Sequence, residues 1–192
     1  TITTAAQVEH PAVQLLDIQE MMSKTEAKDK TARKAEAYAM QINRALKRCH
    51  TREQRLDRKQ RAVVMLIGRY RQRNMQVLQA LDIKTLEYTY PTLSIQYQTA
   101  HASKGLEADY VIILGLEKGS FPSVKENDEL IDLLLPERES FLFAEERRLL
   151  YVAITRARHY VFLVFDSPQA SVFAKEMAEM GQYFITTNDA LS

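Results

Sequence analysis

The stretch that decides the fold is Glu145-Glu146-Arg147-Arg148-Leu149-Leu150-Tyr151-Val152-Ala153-Ile154-Thr155-Arg156-Ala157-Arg158, which is followed at once by the apolar run at residues 160–165. Its apolar residues recur at helical spacing, so the pattern predicts one amphipathic helix over residues 145–158. The helix would deliver its last two arginines to the edge of a sheet. An arginine at such an edge is well placed to bind a phosphate, because the guanidinium presents several donors in one plane.

Other segments complete an alternation of strands and helices. Continuous apolar runs bounded by glycine are typical of strands buried on both faces of a parallel sheet. Amphipathic spacing without Gly or Pro is typical of surface helices. The pattern predicts an α/β domain with a mainly parallel sheet and helices on both faces. The predicted strands are 62–67, 85–90, 93–99, 110–116 and 160–165, and the predicted helices are 24–48, 69–81, 130–135 and 173–180.

Composition narrows the class of protein. A chain of 192 residues, 46% apolar and 27% charged, fits one soluble domain with an appendage. We expect a helical segment at residues 1–60 that leads into a domain at 61–192, with a helix or strand near residues 13–18 and a loop at 50–59. Cys49 is the single cysteine and the four histidines have no close partners, so the sequence predicts neither a disulfide nor a metal site. No membrane span or signal peptide is expected, and the expected location is the cytoplasm.

Charge is segregated although the net charge is only +1. Eleven basic residues against two acidic ones lie between Arg44 and Arg73, whereas residues 124–146 hold eight acidic residues against two basic ones. A basic block of this kind either meets nucleic acid or forms a solvated helix face. The sequence leaves open whether this block contacts DNA or another domain.

The polar segment at residues 99–107 lies between two predicted strands and concentrates groups that bind phosphates. It also fits a capped turn, with Ser103 as a helix N-cap and Lys104 paired with Glu107 in solvent. Both interpretations stay open on the residues alone. The candidate ligands are Thr99, His101, Ser103, Lys104, Gly105 and Glu107.

Arg69 and Arg156 each follow an apolar element, and either could reach a γ-phosphate, where an arginine stabilises the charge that develops during phosphoryl transfer. Each could equally pair with an acidic residue of this domain, and Glu145 and Glu146 are available. Asp166 follows the last predicted strand as a Walker-B aspartate would, but the chain has no G-x-x-x-x-G-K-[ST]. We therefore interpret Asp166 as a strand-end cap or turn.

Several segments resemble motifs of the UvrD/Rep-like superfamily 1 helicases. Thr99-x-His101-x-x-Lys104-Gly105-Leu106-Glu107 resembles motif V, and residues 145–157 resemble motif VI. Residues 115–122 resemble the link between the two motifs. Residues 64–70 resemble motif IV less closely, with Gly68-Arg69-Tyr70-Arg71 where the family often has Tyr-Arg-x-Asn. Together these segments cover residues 60–166 in the family's order.

This resemblance implies a second RecA-like motor domain, itself without a P-loop, of a 3′-to-5′ DNA helicase with a role in DNA repair. ATP and Mg²⁺ would be shared with a first RecA-like domain of the same polypeptide, which supplies the P-loop. Arg156 and Arg69, or Arg71 in place of Arg69, would be the catalytic arginines at the γ-phosphate. Glu107 would bind the ribose beside Gly105.

The resemblance also implies contacts with DNA. Thr99, His101, Ser103 and Lys104 would face single-stranded DNA, and the whole protein would act at duplex junctions. The fragment alone would hydrolyse no ATP. The alternative is a helicase-like module that has lost catalysis and serves as a nucleic-acid-binding or polymerase-associated platform.

Overall fold

The computed structural model describes residues 12–123 and 143–179. Within them lies a five-stranded sheet with the order β1-β5-β4-β2-β3. Every neighbouring pair of strands is parallel, so the predicted α/β class with a mainly parallel sheet is confirmed. The strands are β1 (Ala12–Asp17), β2 (Ala62–Gly68), β3 (Leu93–Thr99), β4 (Ala108–Leu114) and β5 (Ala157–Phe165).

Helices cover both faces of this sheet. They are α1 (Gln19–Met22), α2 (Lys30–Leu56), α3 (Met75–Leu81), α4 (Ile83–Thr89), α5 (Ala144–Ile154) and α6 (Val172–Glu179), with short 3₁₀ turns at Gln72–Asn74 and Ser167–Gln169. Alternation along β4 sends Tyr110 and Ile112 to the core beneath α2. The same alternation sends Val111 and Ile113 to the core beneath α5 and α6.

The described residues before 61, expected as a helical segment that leads into the domain, form β1, α1 and α2. Strand β1 pairs with β5 in the same sheet, and α2 packs on one face of that sheet. Helix α2 also continues through the predicted loop at 50–59 and ends at Leu56. It does so because Glu53 extends the buried stripe of Ala45 and Cys49 by one more turn.

Residues 85–90, predicted as a strand, lie instead in α4 and the residue after it. A helix there buries Leu86 and lets the Glu87 carboxylate accept a hydrogen bond from the Ile95 backbone N–H at 2.8 Å. Tertiary contacts thus override the local β-propensity. The predicted helix at 130–135 lies outside the described residues.

The stretch at residues 145–158, predicted as one helix, is also not a single helix. Helix α5 ends at Ile154, and β5 begins at Ala157. The Thr155 hydroxyl donates to the Val152 carbonyl at 3.1 Å, and the Arg156 carbonyl accepts from the Ala108 N–H at 3.0 Å. Arg156 therefore lies in the turn where the helix becomes a strand, and Arg158 lies inside β5.

Two connections run the length of the sheet on its α5 side. Because the strands are parallel, Gly68, Thr99 and Leu114 end at one edge, whereas Ala108 and Ala157 begin at the other. Residues 100–107 join the carboxyl end of β3 to the amino end of β4. Helix α5 also leads to the amino end, where β5 begins, so each connection links the two edges.

Candidate functional site

The carboxyl edge of the sheet carries a buried ion pair between Arg69 and Glu146. Arg69 follows the last residue of β2, and Glu146 lies in the first turn of α5. The Arg69 Nε donates to both carboxylate oxygens at 3.0 Å, and Nη2 donates to Oε1 at 2.7 Å. Burial alone would lower the pKa of Arg69, but the hydrogen bonds and charge of Glu146 raise it on balance. This guanidinium is charged and fully engaged.

Three further residues join this ion pair. The Arg69 Nη1 lies 3.1 Å from His101 Nδ1, and its guanidinium lies over the Tyr70 ring at 4.5 Å from the centroid. The Ser123 backbone N–H donates to Glu146 Oε2 at 3.1 Å. We call these five residues (Arg69, Tyr70, His101, Ser123 and Glu146) the carboxyl-end junction. It fastens the start of the 100–107 loop to the start of α5.

The 100–107 loop presents some of its predicted ligands and hides others. Ser103 is fully buried and its hydroxyl donates to the Ala100 carbonyl at 2.8 Å. Ser103, expected as a helix N-cap or as a DNA contact, thus turns its hydroxyl to the backbone of its own loop. Thr99 is half-buried and its hydroxyl accepts from the Ala102 N–H at 3.2 Å. Lys104 and Gly105 are exposed.

Gly105 has a conformational reason to be glycine. Its φ is +85°, a backbone conformation that residues with a Cβ rarely adopt, and no atom would lie near an added Cβ. Gly68, at the end of β2, is constrained by lack of space and not by its φ. A Cβ there would lie 2.1 Å from Asn74 Nδ2 and 2.6 Å from the Tyr97 hydroxyl.

The amino edge of the sheet carries an exposed cluster of charge. Glu107, just before β4, accepts from Arg158 Nη2 at 2.6 Å and from Nε at 3.2 Å. The hydrogen bonds from Arg158 hold the pKa of the Glu107 carboxyl below its ordinary value. The expected pairing of Glu107 with Lys104 is replaced by this pair. We call Glu107, Arg156 and Arg158 the amino-end cluster.

Arg156 also belongs to this cluster. Within residues 12–123 and 143–179, no carboxylate lies close enough to form an ion pair with its guanidinium. Its Nε donates to the Val152 carbonyl at 3.0 Å, and Nη1 donates to the Leu106 carbonyl at 3.3 Å. Its side chain is half-buried. Two carbonyls thus fix the guanidinium beside Glu107 and leave donors for an anion.

The structure does not bring Arg69 and Arg156 together. Arg69 lies at the carboxyl edge and Arg156 at the amino edge, and a seven-residue strand such as β4 separates the two edges by about 20 Å. Arg156 and Glu107 are adjacent, whereas Arg69 is adjacent to His101. Arg71, the alternative at motif IV, is exposed and lies over the Tyr97 ring at 5.6 Å.

Sequence reasoning missed two features. Arg158 pairs with Glu107, and the signal for it in the sequence was its position two residues after Arg156. The second is a network in which Lys34 Nζ lies 2.7 Å from Glu117 and 3.0 Å from Asp166. Asp166 also accepts from Gln19 at 2.6 Å, so it serves as a strand-end anchor, consistent with the turn expected there.

Two absences hold for the described parts of the chain. No group of three or more His, Cys, Asp or Glu side chains there is arranged to hold a metal ion. None of the helices there is both long and apolar enough to cross a membrane.

Comparison with known proteins gives a family. The model described as UvrD-like helicase C-terminal domain matches residues 6–167. DNA helicase IV of Escherichia coli (strain K12) is 40% identical over 114 residues, which are 58% of this chain and 16% of that protein. DNA helicase II of the same organism is 35% identical over 92 residues, 48% of this chain and 11% of that protein.

Two further relatives extend this comparison. The probable DNA helicase II homolog of Rickettsia conorii is 38% identical over 106 residues, 55% of this chain and 15% of that protein. The chain thus spans a small part of the length of these curated relatives. Among solved structures, the C-terminal domain of a possible DNA helicase from Lactobacillus plantarum WCFS1 aligns with a TM-score of 0.49 and 19% identity, over 88% of this chain and 80% of that one.

Proposed function

The chain belongs to the UvrD-like helicase C-terminal domain family, and from that premise we propose that it is the second, RecA-like motor domain of an ATP-dependent 3′-to-5′ DNA helicase. ATP would bind between this domain and a first motor domain of the same protein. The observation that carries the proposal is the setting of Arg156, whose guanidinium is fixed by two carbonyls beside an exposed carboxylate.

The amino-end cluster fits a nucleotide approaching from another domain. Arg156 has charge and donors to offer a γ-phosphate, and it is held in place before the phosphate arrives, which lowers the reorganisation needed at the transition state. Glu107 is 64% exposed at its side chain. Its carboxylate can exchange part of its contact with Arg158 for the ribose hydroxyls, with Gly105 two residues away.

The described residues fit Mg²⁺ poorly, since they offer no cluster of carboxylates. The proposal therefore assigns the Mg²⁺ ligands, the P-loop and the catalytic carboxylate to the first domain. This chain contributes charge at the phosphate and recognition at the ribose. By itself it would hydrolyse no ATP.

Single-stranded DNA would contact the exposed residues of the 100–107 loop. His101 and Lys104 are exposed and Thr99 is half-buried at the start of the loop. Cationic and hydrogen-bonding side chains of this kind meet phosphates and sugars and carry little sequence preference. Ser103 would act only by shaping the loop.

In the proposed function Arg69 holds other elements in place and does not contact the nucleotide. A direct contact with the γ-phosphate would require it to leave Glu146, whereas in its observed place it joins the DNA-facing loop to α5. Movement of the loop on DNA would then be transmitted along α5 to Arg156, because both connections start at the carboxyl-end junction and finish at the amino-end cluster. Arg69 is thus a positioning residue in the proposal.

Unwinding assays on the full-length protein test this function. With ATP, it should separate a duplex that carries a 3′ single-stranded tail and leave a duplex with a 5′ tail intact. Without ATP, neither should open. Tight DNA binding with no ATP-dependent unwinding of either substrate would instead identify a helicase-like binding module, and unwinding from the 5′ tail alone would contradict the proposed polarity.

A further inference from the structure

A cavity of about 460 Å³ opens between α2 and the sheet, remote from the loop and helix discussed above. Its floor is formed by the face of β5 and β4 that lies beneath α2, where Phe162, Tyr160 and Tyr110 are found beside Cys49 of the helix. Gln14 of the edge strand β1 closes one side. The floor is therefore largely apolar.

The opposite rim of the cavity is a stripe of cations on α2. The residues that line it recur at intervals of three and four, which places them on one face of the helix over about 16 Å. They are Arg44, Lys47, Arg48, Thr51, Arg52 and Arg55. Five of these six positions are basic.

Acidic side chains within the described residues meet part of this charge. Glu20 pairs with Arg44 at 2.8 Å, and Glu53 lies 3.5 Å from Arg52. Lys47 and Arg55 are exposed and form no ion pair with any carboxylate in residues 12–123 or 143–179. Burial, followed by the neighbouring charge of Arg44, lowers the pKa of Arg48. Within the part of the chain that the structure describes, Lys47 and Arg55 therefore carry positive charge without a paired carboxylate beside an apolar cavity.

The floor is unsuited to stacking nucleobases. Single-strand binding surfaces present exposed aromatic faces on which successive bases lie. Here Tyr110 is fully buried and Phe162 is 2% exposed, while the guanidinium of Arg52 already covers the Tyr160 ring at 5.4 Å from its centroid. The cavity is instead a single apolar recess behind a row of cations.

We propose that this groove is a docking site for an acidic peptide segment of a partner protein that carries one bulky apolar side chain. The apolar side chain would enter the cavity over Phe162 and Cys49, and carboxylates on either side of it would meet Lys47 and Arg55. An extended peptide of about five residues spans about 16 Å, which matches the length of the stripe. The site is independent of the proposed motor function.

Fluorescence anisotropy on the full-length protein tests the site with a labelled peptide, Asp-Asp-Phe-Asp-Asp. We expect saturable binding that weakens as salt is added. Lys47→Glu combined with Arg55→Glu should weaken binding by about tenfold or more, since both charges are reversed beside the ligand. Replacing the phenylalanine of the probe with alanine should have a similar effect.

A matched control is Lys30→Glu, which reverses an exposed charge at the other end of α2 and should leave affinity within about twofold. All of these substitutions are at exposed positions, and equal melting temperatures confirm folded variants. Unchanged peptide affinity in the Lys47→Glu, Arg55→Glu double variant, or with the alanine-containing probe, overturns the proposal. So does the absence of saturable binding, or the loss of single-stranded oligonucleotide binding in the double variant while peptide binding persists.

Discussion

The two edges of the sheet each hold an arginine–glutamate pair, and the pairs differ in almost everything except chemistry. At the carboxyl edge the side chains of Arg69 and Glu146 are 6% and 11% exposed. At the amino edge those of Arg158 and Glu107 are 62% and 64% exposed. The same two residue types therefore form a fixed joint at one edge and an exchangeable contact at the other.

This difference in burial suits the carboxyl-edge pair to a structural role and the amino-edge pair to ligand binding. A buried pair cannot lose one partner without leaving an unpaired charge away from water. An exposed pair contributes little to stability because water replaces either partner easily. Residues that must receive a nucleotide and release it are therefore better placed in the amino-end cluster than in the carboxyl-end junction.

The largest expected effect is on the buried pair. Glu146→Ala should lower the free energy of unfolding by about 3–5 kcal/mol, since it leaves the Arg69 charge buried without its partner. Chemical denaturation of the variant measures this. Glu145→Ala, at the exposed neighbouring position, should cost less than about 1 kcal/mol. Equal losses in the two variants would remove the distinction between the edges.

Gly68→Ala should have an intermediate effect of about 1–3 kcal/mol, because the added methyl group meets Asn74 and Tyr97 in a packed region. Gly105→Ala meets no neighbour and should cost about 1 kcal/mol, from the φ of +85° alone. Denaturant titration gives the free energy of unfolding of both variants, and so compares the cost of overpacking at the carboxyl edge with the cost of backbone strain in the loop. A larger loss at Gly105 would show that the loop is the more constrained of the two.

The smallest effect on stability is expected at the exposed pair. Arg158→Ala should leave the melting temperature unchanged within error. Because the hydrogen bonds from Arg158 lower the pKa of Glu107, that pKa should rise toward its ordinary value in the variant. An NMR titration of the Glu107 carboxyl follows the change. A clear drop in melting temperature would show that this pair, too, is structural.

Much of the fold could be predicted from the sequence, because buried parallel strands are long apolar runs. The runs that became β2, β4 and β5 carry their own signal of burial on both faces. Local patterns failed where distant contacts decide the outcome. Glu53 continues α2 because it accepts a hydrogen bond from the Tyr110 hydroxyl across 57 positions of sequence, and no local window contains that partner.

The candidate site was predictable in part for the same reason. The resemblance selected Arg156 and Glu107 as ligands of one nucleotide, and the structure places them side by side, since each precedes a strand and parallel strands begin at one edge. Arg69 was grouped with them because it also adjoins a strand, but it follows its strand and so lies at the other edge. In a parallel sheet, a residue that follows its strand and a residue that precedes its strand lie at opposite edges, so chain direction decides such groupings.

The most direct test of the account is the DNA-stimulated rate of ATP hydrolysis by the full-length protein carrying Arg156→Ala, with Arg148→Ala on the exposed face of α5 as the control. We expect a loss of about a hundredfold or more in Arg156→Ala, with unchanged melting temperature and retained single-strand binding. Arg148→Ala should hydrolyse ATP normally. Near-normal turnover in a folded Arg156→Ala protein would contradict the claim that the amino-end cluster faces the nucleotide.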